Sequence, residues 1–425
     1  MTAQYAAPKL TPQSRRERFI LQTLNLTHDP FAYATAELEL QTRSEDPPFF
    51  SYFVSPPTTP VYDDILERIR EANPVFIFGA AGSGKTTLRY ALEAMCRVSP
   101  DRTLAVTYTL GKTDAPGNDV TAVWRSLTQA LATDLFVQVM EQFHNMPPPD
   151  APLMERLARF WYAAIPHYGR NLRLHLERFQ PNDVTGISPV WWTTWKRAVV
   201  RYTPLTSERL SFWQQLMTLE DKMPSEADVG REQFYEGLLL AKTLGFGQSY
   251  ILVDVVDSSK RQRLHLEDHL TTLLHVLHTL NPPIPIYPKL FLPERWQNHV
   301  NNLATSLGWL TPQTLSAIMQ WNHPEALHTI IEHRFRSAGS RIIGLNTIAS
   351  QDIAGRLDEM IIQTADQSPR RLLQVINLLF DAHASRDPDE PLVTAVDWNR
   401  MCQMWNYGSP NPVPIVTNHQ MAGNE

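Results

Sequence analysis

Cysteine is scarce in this 425-residue chain and an excess of basic residues is lacking, and each shortage argues against a class of protein. There are only 2 cysteines, Cys96 and Cys402. They lie too far apart for a CxxC zinc site and are too few for a disulfide scaffold. Lysine and arginine total 38 against 44 acidic residues, which gives a net charge of −6. That balance disfavours sequence-independent binding of nucleic acid, because such binding needs excess positive charge.

Long apolar runs are also missing. No stretch of 18 apolar residues occurs, so we expect no transmembrane helix. Residues 1–18 are polar and basic without an apolar h-region, which is not the pattern of a secretory signal. With 43% hydrophobic and 19% charged residues, the composition is that of a globular chain with a sizeable core. The length suggests two or three domains, and we expect a cytoplasmic protein.

One strong motif stands near the start of the chain. The apolar run at residues 75–78 is rich in β-formers, and residues 88–95 have a helical pattern. Between them, residues 79–87 read GAAGSGKTT, which fits G-x-x-x-x-G-K-[ST] in the strand–loop–helix context that this motif requires. The sequence therefore predicts a phosphate-binding loop.

Each residue type in this loop has a physical role. Glycines let backbone N–H groups turn inward around a phosphate chain, and the helix N-terminus adds positive potential. Lys85 is expected to reach the β- and γ-phosphates, and the Thr86 hydroxyl is expected to ligate Mg²⁺. The predicted nucleotide-binding residues are Gly79, Gly82, Ser83, Gly84, Lys85, Thr86 and Thr87.

A magnesium site beside such a loop needs an acidic residue on a neighbouring strand. Asp254 follows four apolar residues and is expected at the carboxyl end of a buried parallel strand, where ligands bind in α/β sheets. We predict that Asp254 holds Mg²⁺, through water, and that Asp257 orients the attacking water. The alternative is a strand followed by an Asp-containing turn with no role at a metal.

A long helical segment separates these two motifs. Residues 112–246 carry apolar residues at three- and four-residue spacing, which predicts a helical insertion. This stretch is either a partner-binding face, since exposed tryptophan favours interfaces, or the insertion's own core. Its tryptophans within residues 161–213 are Trp161, Trp191, Trp192, Trp195 and Trp213.

Two further features, a histidine pair and a pair of arginines at a predicted helix start, lie beyond the second motif. The i,i+4 pair His265 and His269 could bind a metal, but a solvated polar helix face is the simpler interpretation. Further on, Ser368 and Pro369 fit the start of a helix, which places Arg370 and Arg371 in its first turn. Positive charge is unfavourable there, so one of these arginines is expected to face an anion.

Taken together, the motifs resemble the AAA+/STAND-type P-loop ATPases, and most of all the replication-initiator-like AAA+ proteins that bacteria carry as stand-alone ATPases. The resemblance covers residues from about 61 to 111 and from 246 to 402. It is carried by GAAGSGKTTLR (79–89), YILVDVVDS (250–258), KLFLP (289–293), WNHPEALHTIIEHRF (321–335) and SPRRLLQVINLL (368–379).

The resemblance implies ATP and Mg²⁺ as cofactors and an α/β fold: a P-loop NTPase parallel-sheet core with a C-terminal helical lid. It does not assign the helical insertion, which is predicted from the apolar spacing of residues 112–246. It implies that Lys85 and Thr86 contact the phosphates and the metal, and that Asp254 is the second-motif aspartate. Asp257 resembles the later acidic residue of a D-x-x-D variant. Arg370 resembles the sensor-2 arginine, which reaches from the lid to the γ-phosphate.

Three departures from that family favour slow hydrolysis. Val255 stands where many members have a catalytic Glu, and the strand ending in FLP offers no polar sensor group. No arginine lies just before residues 315–321, and Arg295, the nearby candidate for an arginine finger, reads as a surface residue.

The expected organisation follows from these motifs. It comprises an N-terminal extension (1–60), the first part of the core (61–111), the insertion (112–246), the second part of the core (247–321), the lid (322–405) and a tail (406–425).

The function expected from this sequence is an ATP-binding molecular switch with slow Mg²⁺-dependent hydrolysis, which couples ATP or ADP to a protein partner bound through the insertion. Alternatives are a DNA-associated replication-initiator-like ATPase, a non-catalytic scaffold with a vestigial P-loop, and a small-molecule kinase. Nucleic acid is possible as a partner but disfavoured, no membrane is expected, and oligomers are possible. The absence of an NKxD motif leaves adenine and guanine undistinguished.

Overall fold

The chain is described here from a computed structural model. The described residues are 11–36, 38–39, 49–62, 64–98, 101–110, 118–141, 149–165, 211–212, 215–216, 219, 229–255, 263–339 and 341–408.

A six-stranded sheet forms the centre of the fold. Its strands lie in the order β1-β6-β2-β5-β4-β3, all parallel except β1, which runs antiparallel to β6. The α/β class and the parallel sheet predicted from the sequence are confirmed. The strands are β1 (Thr58–Thr59), β2 (Val75–Gly79), β3 (Thr103–Leu110), β4 (Gln248–Val255), β5 (Ile286–Pro293) and β6 (Leu315–Met319).

Helices cover both faces of this sheet and form a separate bundle after it. None of those described is both long and apolar enough to cross a membrane. A π-helix (Arg18–Thr23) continues directly from α1, and Glu294–Trp296 is a 3₁₀ turn before α8. The helices are α1 (Pro12–Glu17), α2 (Ile65–Ile69), α3 (Lys85–Val98), α4 (Val120–Glu141), α5 (Ala151–Ala164), α6 (Arg231–Thr243), α7 (Arg263–His278), α8 (Gln297–Ser306), α9 (Pro324–Ser337), α10 (Leu357–Ala365), α11 (Pro369–Arg386) and α12 (Ala395–Gly408).

The alternating side chains of β2 show how the sheet is buried. Val75 and Ile77 pack against α2 and α3 on one face, whereas Phe76 and Phe78 join the core on the other face. Because successive residues of a strand point to opposite faces, a strand buried on both must be apolar throughout. This explains the continuous apolar run that the sequence shows before the glycine loop.

The described helices of the predicted insertion, α4 to α6, share the core of the sheet. Trp161 on α5 is fully buried and packs edge-on against Phe136 of α4, with 4.9 Å between ring centroids. For Trp161, packing in the core is therefore the correct interpretation, and a partner-binding face is not. The other four tryptophans of the cluster lie outside the described residues.

The histidine pair on α7 is also explained by packing. His269 is buried and hydrogen-bonded to the Tyr108 hydroxyl of β3 at 2.5 Å, and burial lowers the pKa of its imidazole. The expected solvated face is therefore wrong at His269, while His265 is exposed. Among the described residues, no group of three or more His, Cys, Asp or Glu side chains could hold a metal ion.

A second hydrophobic core lies among α9 to α12, and the N-terminal segment is part of it. Phe19 and Phe31 are fully buried there. Phe31 packs edge-on against Phe335 and Phe380, with centroids 5.1 and 5.6 Å away. Arg16 adds ion pairs of 2.6 Å to both Asp29 and Asp381. Residues 11–36, 38 and 39, which we call the N-terminal arm, thus complete the core of the C-terminal helical domain.

This packing predicts unequal effects for two neighbouring substitutions in the arm. Phe19→Ala should lower the free energy of unfolding by about 3–5 kcal/mol, because a large buried ring is removed. Leu21→Ala, at a side chain that is 42% exposed, should change it by less than about 0.5 kcal/mol. Urea denaturation followed by circular dichroism measures both. Equal effects would show that the arm is not part of the core.

Candidate functional site

A cavity lies where the carboxyl ends of several strands meet the helical domain. The loop after β2 and the ends of β4, β5 and β6 form its floor, and α9, α11 and parts of residues 34–56 form its walls. Ligands in open α/β sheets bind at this edge. The cavity brings together seven of the predicted site residues, which come from three separate parts of the sequence: Gly82, Gly84, Lys85, Thr86, Thr87, Asp254 and Arg370.

The loop's backbone explains its glycines. Gly82 and Gly84 have φ values of +80° and +91°, in the left-handed region that side chains disfavour. Gly79 is needed for close approach, since a Cβ atom there would lie 2.7 Å from the Ser83 Oγ. Gly82 and Gly84 line the cavity, while the buried Ser83 side chain packs toward Gly79. Among the predicted nucleotide-binding residues, Gly79 and Ser83 therefore shape the loop from behind.

Lys85 is the first residue of α3 and lies inside the loop. Its Nζ donates hydrogen bonds of 2.8 Å to the carbonyl oxygens of Gly79 and Ala80. The ammonium group is thus held against the loop that a phosphate chain would enter. Trp321, just after β6, fixes the same loop by donating from Nε1 to the Ser83 carbonyl oxygen at 2.8 Å.

The helical domain touches the loop directly through the start of α11. The backbone N–H of Arg370 donates to the Gly82 carbonyl oxygen at 3.3 Å, and the Ser368 Oγ caps the helix by accepting from the Arg371 N–H. Arg370 lines the cavity. Arg371 points elsewhere, since its Nη1 pairs with Asp366 at 2.9 Å and its guanidinium lies 5.7 Å from the Trp405 ring centroid.

Asp254 is the penultimate residue of β4 and lies at the cavity floor, where two donors hold its carboxylate. Its Oδ2 accepts from the Arg89 Nε at 3.1 Å, and its Oδ1 accepts from the Val255 N–H at 2.8 Å. Arg89 also donates from Nη1 to Glu93 at 3.0 Å. Burial opposes the charge on Arg89, but the adjacent Tyr90, Asp254 and Glu93 outweigh it and hold the pKa of Arg89 above its ordinary value.

Sequence reasoning missed Arg89, although a signal was present. Arg89 and Glu93 are an i,i+4 pair on a helix that the motif itself predicts. Leu88, Ala91 and Leu92 around them are fully buried, so charged residues at positions 89 and 93 mark a buried ion pair that needs a third partner.

The lining of the cavity also includes apolar side chains and one buried ion pair. Tyr52, Val54, Ile330 and Leu373 contribute to the walls. Arg334 makes a two-pronged contact with Glu39, from Nη1 to Oε1 at 3.1 Å and from Nη2 to Oε2 at 2.8 Å. This pair joins the N-terminal arm to α9 at the cavity.

Two further residues complete the account of the predicted site. Arg295 is exposed, as the sequence suggests, and it also lines the cavity. Asp257 lies outside the described residues.

The oxygen atoms that line the cavity suit a magnesium ion whose other ligands are mainly phosphates. Mg²⁺ prefers oxygen ligands, keeps several waters and usually takes one or two carboxylates together with substrate phosphates. The Thr86 hydroxyl and the Asp254 carboxylate line the same cavity and are of these types. The Asp254 carboxylate, however, is already ion-paired with the Arg89 guanidinium.

Comparison with protein-family models, with curated proteins and with solved structures finds no match for this chain. The function of this chain is therefore inferred from the geometry of the cavity.

The contact between the loop and α11 predicts a difference between two glycine substitutions. Gly82→Ala should destabilise the protein more than Gly308→Ala. Both positions have positive φ, but only at Gly82 would a Cβ atom come within 2.7 Å of the Ser368 Oγ and 3.1 Å of the Arg370 Cβ. The backbone strain shared by both variants is about 1–2 kcal/mol.

Thermal denaturation of the two variants measures the excess at Gly82. A Gly82→Ala protein no less stable than Gly308→Ala would contradict the close packing of α11 on the loop.

Proposed function

We propose that this protein is an AAA+/STAND-like P-loop ATPase that works as a slow nucleotide-dependent switch, with ATP bound between the sheet and the C-terminal helical domain. The observation that carries the proposal is the meeting of Lys85, Asp254 and Arg370 at one cavity, next to a loop of the required sequence and backbone conformation. The parallel sheet with a separate helical domain also suits the resemblance seen in the sequence.

The phosphate end of the cavity supplies the groups that a triphosphate needs. The loop N–H groups and the start of α3 favour an anion. Lys85 would exchange its two carbonyl partners for β- and γ-phosphate oxygens. Thr86 and Asp254 would hold Mg²⁺, which neutralises phosphate charge when it is bound.

The apolar side chains that line the cavity suit the base of the nucleotide. A flat, weakly polar ring binds most favourably where the walls are apolar and a few polar groups fix its orientation. Tyr52 lies against Arg334 of α9, Val54 packs on the core of the helical domain, and Ile330 and Leu373 belong to that domain. A base among these side chains would contact the helical domain.

The switch follows from how the helical domain meets the loop. Because α11 touches Gly82 and presents Arg370 at the cavity, the γ-phosphate would bind both halves of the protein. The arm would move with the helical domain, since both share one core. A ligand shifts such an equilibrium only by its differential affinity for the two states. A protein partner bound through the helices between β3 and β4 would then sense the nucleotide.

Slow hydrolysis suits the residues at the strand ends. Val255, directly after Asp254, has no group that could act as a base, and β5 ends at Pro293, which offers no hydrogen-bonding side chain. Among the residues that the structure describes, which do not include Asp257, the site is therefore better equipped to bind a nucleotide than to hydrolyse it rapidly.

Replacing the loop lysine tests nucleotide binding. Lys85→Ala should abolish detectable binding of MgATP in isothermal titration calorimetry, because the cation nearest the phosphates is lost. Lys242→Ala, which removes an exposed lysine of α6, is the matched control and should bind as the unaltered protein does. Unchanged affinity in Lys85→Ala would refute the proposal.

The two neighbouring arginines of α11 test the coupling to the γ-phosphate. Arg370→Ala should weaken ATP about 10–100-fold and ADP far less, since a hydrogen bond to a charged group contributes about 1.5–3 kcal/mol. Arg371→Ala, which loses only the contact with Asp366 and Trp405, should leave the ratio of the two affinities unchanged. Equal loss of ATP and ADP affinity in Arg370→Ala would speak against a γ-phosphate contact.

A further inference from the structure

Arg89 occupies a place that the proposed chemistry does not explain. It lies one turn after Lys85 on α3, and residues at i and i+4 share a helix face. Lys85 faces the phosphate loop, whereas Arg89 is only 4% exposed and lies against β4. The face of α3 nearest the cavity therefore carries two stacked cations, one for a ligand and one for the protein itself.

Its partners are all internal. The guanidinium joins Asp254 to Glu93, and Glu93 in turn accepts from the Arg97 Nη2 at 2.5 Å. Arg89 Nη1 also lies 3.5 Å from the Thr107 hydroxyl of β3. A buried guanidinium is retained only when it is paired in this way. Asp254 is consequently one member of a buried charge network rather than an isolated carboxylate awaiting a metal.

The charges that line the cavity follow one pattern. Among the described residues its acidic groups are Glu39 and Asp254, and each is paired with an arginine, Arg334 and Arg89 respectively. The other charged lining residues are all cations: Lys85, Arg295 and Arg370. A polyanion entering this cavity would meet positive potential even without a divalent ion, because both carboxylates already have internal counter-ions.

The same network lowers the affinity of Asp254 for a metal ion. Each carboxylate oxygen keeps a second lone pair, so Asp254 can still accept from a water of a hydrated ion. Its attraction for a divalent cation is nevertheless reduced, because the guanidinium neutralises the charge at 3.1 Å.

We propose that Arg89 is a positioning residue that fixes Asp254 and acts as its permanent counter-ion. As a consequence, the affinity of this protein for a nucleoside triphosphate depends little on Mg²⁺. The proposal rests on the proposed function, since it concerns how the same cavity neutralises a triphosphate. It assigns Arg89 no contact with the nucleotide.

The test compares ATP affinity in excess Mg²⁺ with ATP affinity in excess EDTA, by titration calorimetry on the full chain. For the unaltered protein the two dissociation constants should agree within about tenfold, the effect of one modest charge interaction. In Arg89→Met, which keeps the length of the side chain but removes its charge, the ratio should rise by at least about tenfold. Arg89→Lys should restore a low ratio.

Arg97→Met is the matched control. It removes a neighbouring cation of the same helix that pairs with the same Glu93, whereas the guanidinium that pairs with Asp254 is that of Arg89. A purely structural role for Arg89 would lower stability in both methionine variants and leave the Mg²⁺ ratio unchanged in both. An increased ratio confined to Arg89→Met therefore supports the proposal, and an unchanged ratio overturns it.

Two further results would also be decisive. If Arg89→Met does not fold, the unaltered protein still decides, because ATP binding that is lost in EDTA would overturn the inference while leaving the proposed function intact. If ATP fails to bind in either condition, the proposed function fails and this inference fails with it.

Discussion

The backbone of the loop between β2 and α3 is the constraint on which the rest of this site depends. Gly82 and Gly84 hold it in the left-handed region, Lys85 closes it from inside, and Trp321 holds it from the end of β6. The start of α11 then contacts the Gly82 carbonyl oxygen. A single turn of chain therefore connects the sheet to the helical domain, and any ligand at this turn would be shared by both.

The helical domain and the N-terminal arm behave as one packed unit in this arrangement. Phe19 and Phe31 are buried among α9 to α12, and Glu39 pairs with Arg334 beside the cavity. A displacement of the domain from the loop would therefore carry the arm, and with it one wall of the cavity. In the switch that we propose, the arm and the helical domain together would therefore be the part that responds to a nucleotide.

Local features of the site could be predicted from the sequence, whereas its long-range pairings could not. The glycine loop, the strand ending at Asp254 and the helix starting at Pro369 each follow from contiguous residues with a known physical requirement. Arg89 bonds Asp254 across 165 positions and Arg334 bonds Glu39 across 295, so no local pattern indicates either pair. The two-residue strand β1 is too short to show any periodicity, and Phe19 and Phe31 lie in a polar segment whose packing depends on helices more than 300 positions away.

The most direct test of the central claim is amide hydrogen exchange on the full chain with and without MgATP. If a nucleotide binds between the sheet and the helical domain, exchange should slow at two separate segments, residues 79–87 and residues 368–373, because one ligand would contact both. Unchanged exchange at these segments under saturating ATP, or protection of the loop without any at the start of α11, would contradict a nucleotide held between the sheet and the helical domain.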